Sequence, residues 1–146
     1  MPDMRLPLIL LLCSALVMAS EDKQTCPDNA DTQQRISQCA DSDNQAADRE
    51  LNQIYQAVIK QHAGDKTFTD NLKLAQRAWL KWRDAEMAAI YPHAAEAGYY
   101  GSAFNACWAS QLASLTRERS RQLRKWLDGV EEGELCSGSL PFKASP

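Results

Sequence analysis

Apolar residues recur along this chain at helical intervals, not strand intervals. Leu51, Ile54, Tyr55, Val58 and Ile59 fall at i, i+3, i+4, i+7 and i+8, with Ala47 and Asp48 one turn earlier. That spacing marks one buried helix face and predicts a helix over residues 31–62, stopping near Gly64. A second helix begins where Thr67 or Thr69 can cap it. Phe68, Leu72, Ala75, Trp79, Trp82, Met87 and Ile90 then recur at short helical steps, flanked by Lys73, Arg77, Lys81 and Asp84. Pro92 sets its limit, because the residue before a proline is pushed out of helical backbone. His93, Gly98, Tyr99, Tyr100 and Gly101 follow as a glycine-punctuated turn. Ser102 offers an N-cap for a third helix with Phe104, Trp108, Leu112, Leu115, Arg119, Leu123 and Trp126 on one face and Gly129 as its stop. Nothing alternates with period two. The predicted fold is all-α, a three-helix antiparallel bundle with an irregular leader and an irregular tail held by Cys136.

The first nineteen residues follow another pattern. Leu6 to Ala19 is almost uninterrupted apolar sequence behind Arg5, and Val17-Met18-Ala19 offers a peptidase site, so residues 1–19 read as a signal peptide cleaved after Ala19. Attachment as a lipoprotein through Cys13 ranks second, because Leu11 and Leu12 stand where small residues are wanted. A retained anchor needs about 20 apolar residues, and this run breaks at Ser20-Glu21-Asp22. The expected product is exported, periplasmic or secreted: one domain over residues 20–146, with a core at 26–128 and a tail at 129–146.

Charge and cysteine content then narrow the function. The chain carries 16 basic and 19 acidic side chains, a net -3, which with the compartment disfavours nucleic acid as a partner. That mild figure conceals a polarity. Residues 20–50 hold eight acidic and three basic side chains, among them Glu21, Asp22, Asp28, Asp31, Asp41 and Asp43. Residues 116–125 hold Arg117, Arg119, Arg121, Arg124 and Lys125 against Glu118 alone. This basic block reads as a solvated helix face and, as an alternative, as a contact for anionic lipid or cell-wall polymer. Once Cys13 is removed, Cys26, Cys39, Cys107 and Cys136 remain, an even number that argues for two disulfides in an exported chain.

The residues offer little to catalysis. His62 and His93 lie outside any metal-ligand spacing, and no nucleophile-elbow or phosphate-loop motif occurs. Asp84 and Glu86 project about 200° apart on a helix and do not form an acid/base pair. Trp79, Trp82, Trp108 and Trp126 are in phase with the core. Arg83, four residues after Trp79, is placed to stack over it while pairing with Asp48 or Glu50. Asn52, Tyr55, Gln76 and Arg77 border the apolar stripes, where inter-helix hydrogen bonding would set register. No cofactor or metal is expected.

Gln76-Arg77-Ala78-Trp79 followed by Arg83-Asp84-Ala85-Glu86 resembles the signature of the LprI-like lysozyme-inhibitor family, small exported bacterial domains. Cys26 and Cys39 ahead of Leu51-Asn52-Gln53-Ile54-Tyr55, Gly101-Ser102, Cys107, and Leu115-Thr116-Arg117-Glu118-Arg119 with Leu123 agree in order and spacing. The resemblance covers residues 26–127 and makes Leu51, Asn52, Tyr55, Gln76, Arg77, Trp79, Arg83, Asp84 and Arg119 family-signature positions with architectural roles. Members often carry a cysteine directly after the Arg-Asp-Ala-Glu run, where this chain has Met87, and Cys136 lies beyond the usual end. The simplest repair pairs Cys26 with Cys136 and Cys39 with Cys107, since the bundle sets the start of the first helix beside the start of the third. Pairing Cys26 with Cys39 and Cys107 with Cys136 stays open. Either arrangement closes loops worth roughly 3–4 kcal/mol per unstrained bridge when they are long.

The resemblance implies a binding protein that docks on a lysozyme-like glycosidase and blocks its cleft. Such enzymes are commonly cationic, so the acidic leader would speed encounter. Tyr99, Tyr100 and Ser102 are the candidate partner-binding residues, paired aromatics and a hydroxyl at a turn. The rival reading is a structural or accessory cell-envelope module that binds another protein without inhibiting anything, and an enzyme ranks last.

Overall fold

The computed structural model describes residues 32–143. Residues 1–19, expected to be a signal peptide, the acidic residues before Thr32 and Cys26 lie outside the described residues. The described residues form three helices: α1 (Gln33–Gln61), α2 (Lys66–Ile90) and α3 (Phe104–Asp128). Thr32 caps α1, its hydroxyl accepting from the Arg35 N–H at 3.2 Å. The cap of α2 is Asp65, whose carboxylate accepts from the Phe68 N–H at 2.9 Å. Neither threonine expected there serves, because a carboxylate ahead of them both takes an orphan N–H and meets the positive end of the helix dipole. Thr69 instead donates its hydroxyl to the Lys66 carbonyl and is buried. Tyr91 ends α2 just before Pro92. Ala103 opens α3 with no side-chain cap, leaving Ser102 one residue outside and exposed.

The direction of packing is fixed by two ion pairs. Arg117 donates to both carboxylate oxygens of Asp43 at 2.8 and 2.5 Å, and Arg124 to Glu50 at 2.7 Å, each pair 74 positions apart. A constant offset means that α1 and α3 run parallel, with α2 returning between them in sequence. Acidic residues in the middle of α1 thus meet the basic block of α3 in register, while Arg121 pairs with Glu118 on its own helix.

Where α1 and α3 meet, their inward positions are Ala40, Asn44, Ala47, Leu51, Ile54 and Val58 against Ala106, Ala109, Ala113, Thr116, Ser120 and Leu123. Steps of three and four alternate along both rows, the seam of a coiled coil. Small side chains over its first half let the two backbones approach closely, and α2 stands off from this pair. Asn44 Oδ1 and Thr116 Oγ1 are buried in the seam without a partner among the described residues. Of the large face expected on α3, Leu123 is buried in the core, while Phe104, Trp108, Leu112, Leu115, Arg119 and Trp126 are only half-buried. Close packing here selects the small residues beside them.

Long side chains carry the other layer. Leu51, Ile54, Val58, Leu72 and Leu123 form the main core, with Phe68, Trp79 and Trp126 packed against it. His62, Phe68 and Trp126 cluster with ring centroids 4.5–5.9 Å apart. Trp82 does not join: it sits about 80° round α2 from Leu72 and is 50% exposed. Ala75 and Ile90 are exposed as well.

The disulfide arrangement is also corrected. Cys107 and Cys136 are free, exposed thiols, so the pairing of Cys39 with Cys107 and of Cys26 with Cys136 is not formed. Cys39, which is disulfide-bonded, pairs with neither of them. The bond from Cys107 to Cys136 is absent too, and no disulfide staples two of the described helices together. The reason is rotational: Cys107 follows the seam residue Ala106 by one position, about 100° round the helix and toward solvent. The tail is fastened by backbone instead. Val130 donates to the Pro141 carbonyl at 2.8 Å and accepts from the Lys143 N–H at 2.9 Å, an isolated parallel bridge to Phe142. Gly129, at φ 77°, makes this possible, since a Cβ there would come within 2.8 Å of the returning backbone.

Candidate functional site

Two places concentrate side chains whose chemistry is not spent on the core. The first is the end of the bundle where α2 turns into α3. Gly98 (φ 77°) and Gly101 (φ 75°) reverse the chain, with main-chain bonds from Tyr99 to Glu96 and from Gly101 to Gly98 holding the turns. The two tyrosine rings touch edge-on with centroids 4.9 Å apart, but their surroundings differ. Tyr100 lies over Phe104 with centroids 5.3 Å apart and planes at 20°, and its hydroxyl accepts from the His93 N–H at 3.2 Å. It meets Tyr91 edge-on at 5.3 Å, and Tyr91 in turn touches Phe104 and Trp108. Burial, followed by the neighbouring Cys107 and Tyr100, pushes the Tyr91 phenol above its ordinary value.

Tyr99 faces the other way. It is 56% exposed, yet its ring is stacked on His93 at 4.3 Å and 22°, and the His93 ring bonds Glu96 at 2.6 Å. An exposed phenol is therefore held in one orientation by a braced imidazole. Of the candidate residues, Tyr99 and Ser102 are exposed, while Tyr100 belongs to the aromatic pack beneath them.

The second place is a groove between α1 and α2, with a volume of about 480 Å³, and Leu51, Asn52, Tyr55, Gln76, Arg77 and Arg83 all line it. Arg83 stacks over Trp79 at 5.3 Å and reaches Asp48 at 3.5 Å, the first of the two acidic partners considered for it. Glu50 is taken by Arg124 instead. Gln76 is buried and bonds across to α3, its carbonyl oxygen accepting from Arg119 Nε at 3.0 Å. Burial alone lowers the Arg119 guanidinium from its ordinary value, and a guanidinium stays charged under such a change. No inter-helix hydrogen bond engages Asn52, Tyr55 or Arg77 among the described residues. Asp84 is exposed and meets only its neighbour Arg83, at 3.3 Å.

Periodicity did not reveal the groove, because its other lining residues, Gln56, Lys73 and Leu80, come from positions that a helical wheel assigns to solvent. Basic and amide side chains spaced along two helices become a site only where the helices leave a gap between them. Among the described residues no cluster of three or more His, Cys, Asp or Glu could hold a metal ion, and no helix is long and apolar enough to cross a membrane.

Comparison with known proteins adds three findings. A family profile described as lysozyme inhibitor LprI matches residues 25–123. An uncharacterized protein of Rhizobium meliloti (strain 1021) is 32% identical over 134 residues, covering 84% of this chain and 93% of its own length. No solved structure matches.

Proposed function

The chain belongs to the LprI lysozyme-inhibitor family, and from that premise we propose that it is an exported binding protein that docks on a lysozyme-like glycosidase and blocks its cleft. The observation that carries the reading is Tyr99, an aromatic ring more than half exposed and yet stacked on a braced His93. An anchor of that kind loses little side-chain freedom on binding, and rigid aromatic anchors dominate interface energies. Ser102 stands in the same turn as a hydroxyl for the polar rim. The acidic residues before Thr32 would speed encounter with a cationic enzyme; those of α1 that pair with Arg117 and Arg124 contribute less, being locally neutralised.

Titration of the purified protein into a lysozyme cell-wall lysis assay tests this. Inhibition is expected, weakened at least tenfold by Tyr99→Ala with the thermal midpoint unchanged. Tyr100→Ala is expected to lower the midpoint, since its ring packs on Phe104 and Tyr91. No inhibition at micromolar excess would reject the inhibitor reading in favour of an accessory envelope module, and full inhibition by Tyr99→Ala would reject the loop while leaving the activity standing.

A further inference from the structure

The groove between α1 and α2 has unspent chemistry of one kind. The facing group on Arg119 can only donate, so the Gln76 atom it meets must be the carbonyl oxygen. That leaves the Gln76 amide nitrogen, on a residue otherwise buried, with no acceptor among the described residues and with the groove beside it. Arg77 lines the same wall and has no carboxylate partner there. Arg83 is already satisfied by Asp48, the single acidic group lining the groove. What remains is an excess of donors and positive charge. The α1 wall opposite supplies the side-chain amide of Asn52, which both donates and accepts, and the phenol ring of Tyr55, half-buried and available as a flat apolar surface.

A ligand that satisfies this set needs a carboxylate for Arg77, hydroxyl or carbonyl oxygens for Gln76 and Asn52, and an apolar face for Tyr55. Sugars offer hydroxyls on the ring edge and C–H groups on its face. The volume of about 480 Å³ lies in the range of roughly 300–1,000 Å³ typical of small-ligand sites. An acidic peptide meets the charge and offers carbonyls to the amides but leaves the flat phenol unused. We propose that this groove binds a carboxylate-bearing saccharide, with Arg77 holding the carboxylate, Gln76 and Asn52 the ring oxygens and Tyr55 the ring face. The site is separate from the Tyr99 turn and does not depend on inhibition of any enzyme.

The matched probes are the disaccharide of N-acetylglucosamine and N-acetylmuramic acid, which carries a lactyl carboxylate, and chitobiose, which lacks it. Titrated into the ¹⁵N-labelled full chain, the acidic disaccharide is expected to give saturable shifts at amides of α1 and α2 around residues 52 and 77, with chitobiose at least tenfold weaker. Arg77→Gln and Asn52→Ala, both at exposed positions, are expected to weaken the acidic sugar several-fold with the thermal midpoint and lysis inhibition unchanged. The proposal is overturned by an absence of saturation at about 10 mM, where even a millimolar site fills. Equal affinity for the two sugars, or indifference to Arg77→Gln, overturns it equally. Tighter binding of tetraglutamate at the same amides would make the groove a peptide site instead.

Discussion

The seam between α1 and α3 and the layer contributed by α2 are built on opposite plans. The seam is a strict three-four alternation of mostly small residues, Ala47 and Ala113 wholly buried among them, flanked by charge pairs in register. On the α2 side, Trp79, Arg83, Gln76 and Phe68 span a wider gap, and Leu74, Leu80 and Trp82 remain exposed. Small residues give close approach and leave no room for a ligand. Long amphipathic ones reach across a gap and leave a groove with unspent hydrogen-bonding groups, so the rigid pair serves as a platform and the candidate chemistry falls on the borders of α2.

Substitutions can break this contrast in order of size. Leu123 lies in the core that both layers share, and Leu123→Ala is expected to cost about 2–5 kcal/mol in urea unfolding, the range for a large buried side chain reduced to a methyl. Ala113→Leu should cost about 1–3 kcal/mol, because the seam has no space to repack. The same change on the exposed face of α2, Ala78→Leu, should stay within about 0.5 kcal/mol. Equal costs for the two leucines would show that the seam is no tighter than the α2 layer.

Charge makes a smaller difference. Asp48→Asn removes the carboxylate facing Arg83, and with Asp48 nearly half exposed the loss should be below about 1 kcal/mol. The smallest effect concerns Asp43. The Arg117 hydrogen bond holds its carboxyl below the ordinary 3.8 against opposing desolvation, so ionised Asp43 stabilises the folded state above the unfolded value, and that contribution disappears as pH falls through the lower folded value. Both groups are more than a third exposed, so solvent screening leaves a few tenths of a kcal/mol. Wild type and Asp43→Asn should therefore differ slightly in unfolding midpoint at pH 7 and converge once the pH is below the folded value. A difference that persists there would assign the effect to packing.

Much of the helix layout was legible. Gly64, Pro92 and Gly129 mark the ends because their backbone preferences act locally, and the Arg83 stack on Trp79 follows from a four-residue step on one helix. Trp82 and most of the α3 face other than Leu123 lie outside the close-packed seam, because hydropathy weights large residues, whereas close approach of two helices selects small ones. The tail misled for a similar reason: Cys136 suggested a covalent fastening, and the chain uses main-chain pairing at Val130, which leaves no mark in side-chain identity.

The sequence by itself therefore determined three helices, their stops within a residue or two, and the family signature, all of which depend on neighbours within a turn or on residue identity in order, whereas the capping side chains of α2 and α3 differ from those expected. Tertiary structure alone decided which face of α3 meets α1, that Tyr99 points out while Tyr100 points in, that Cys107 is turned away from any partner, and that Asn52, Tyr55, Gln76 and Arg77 share a groove. Each of these depends on how the helices are rotated and spaced against one another, which is set by the combined bulk of residues far apart in sequence.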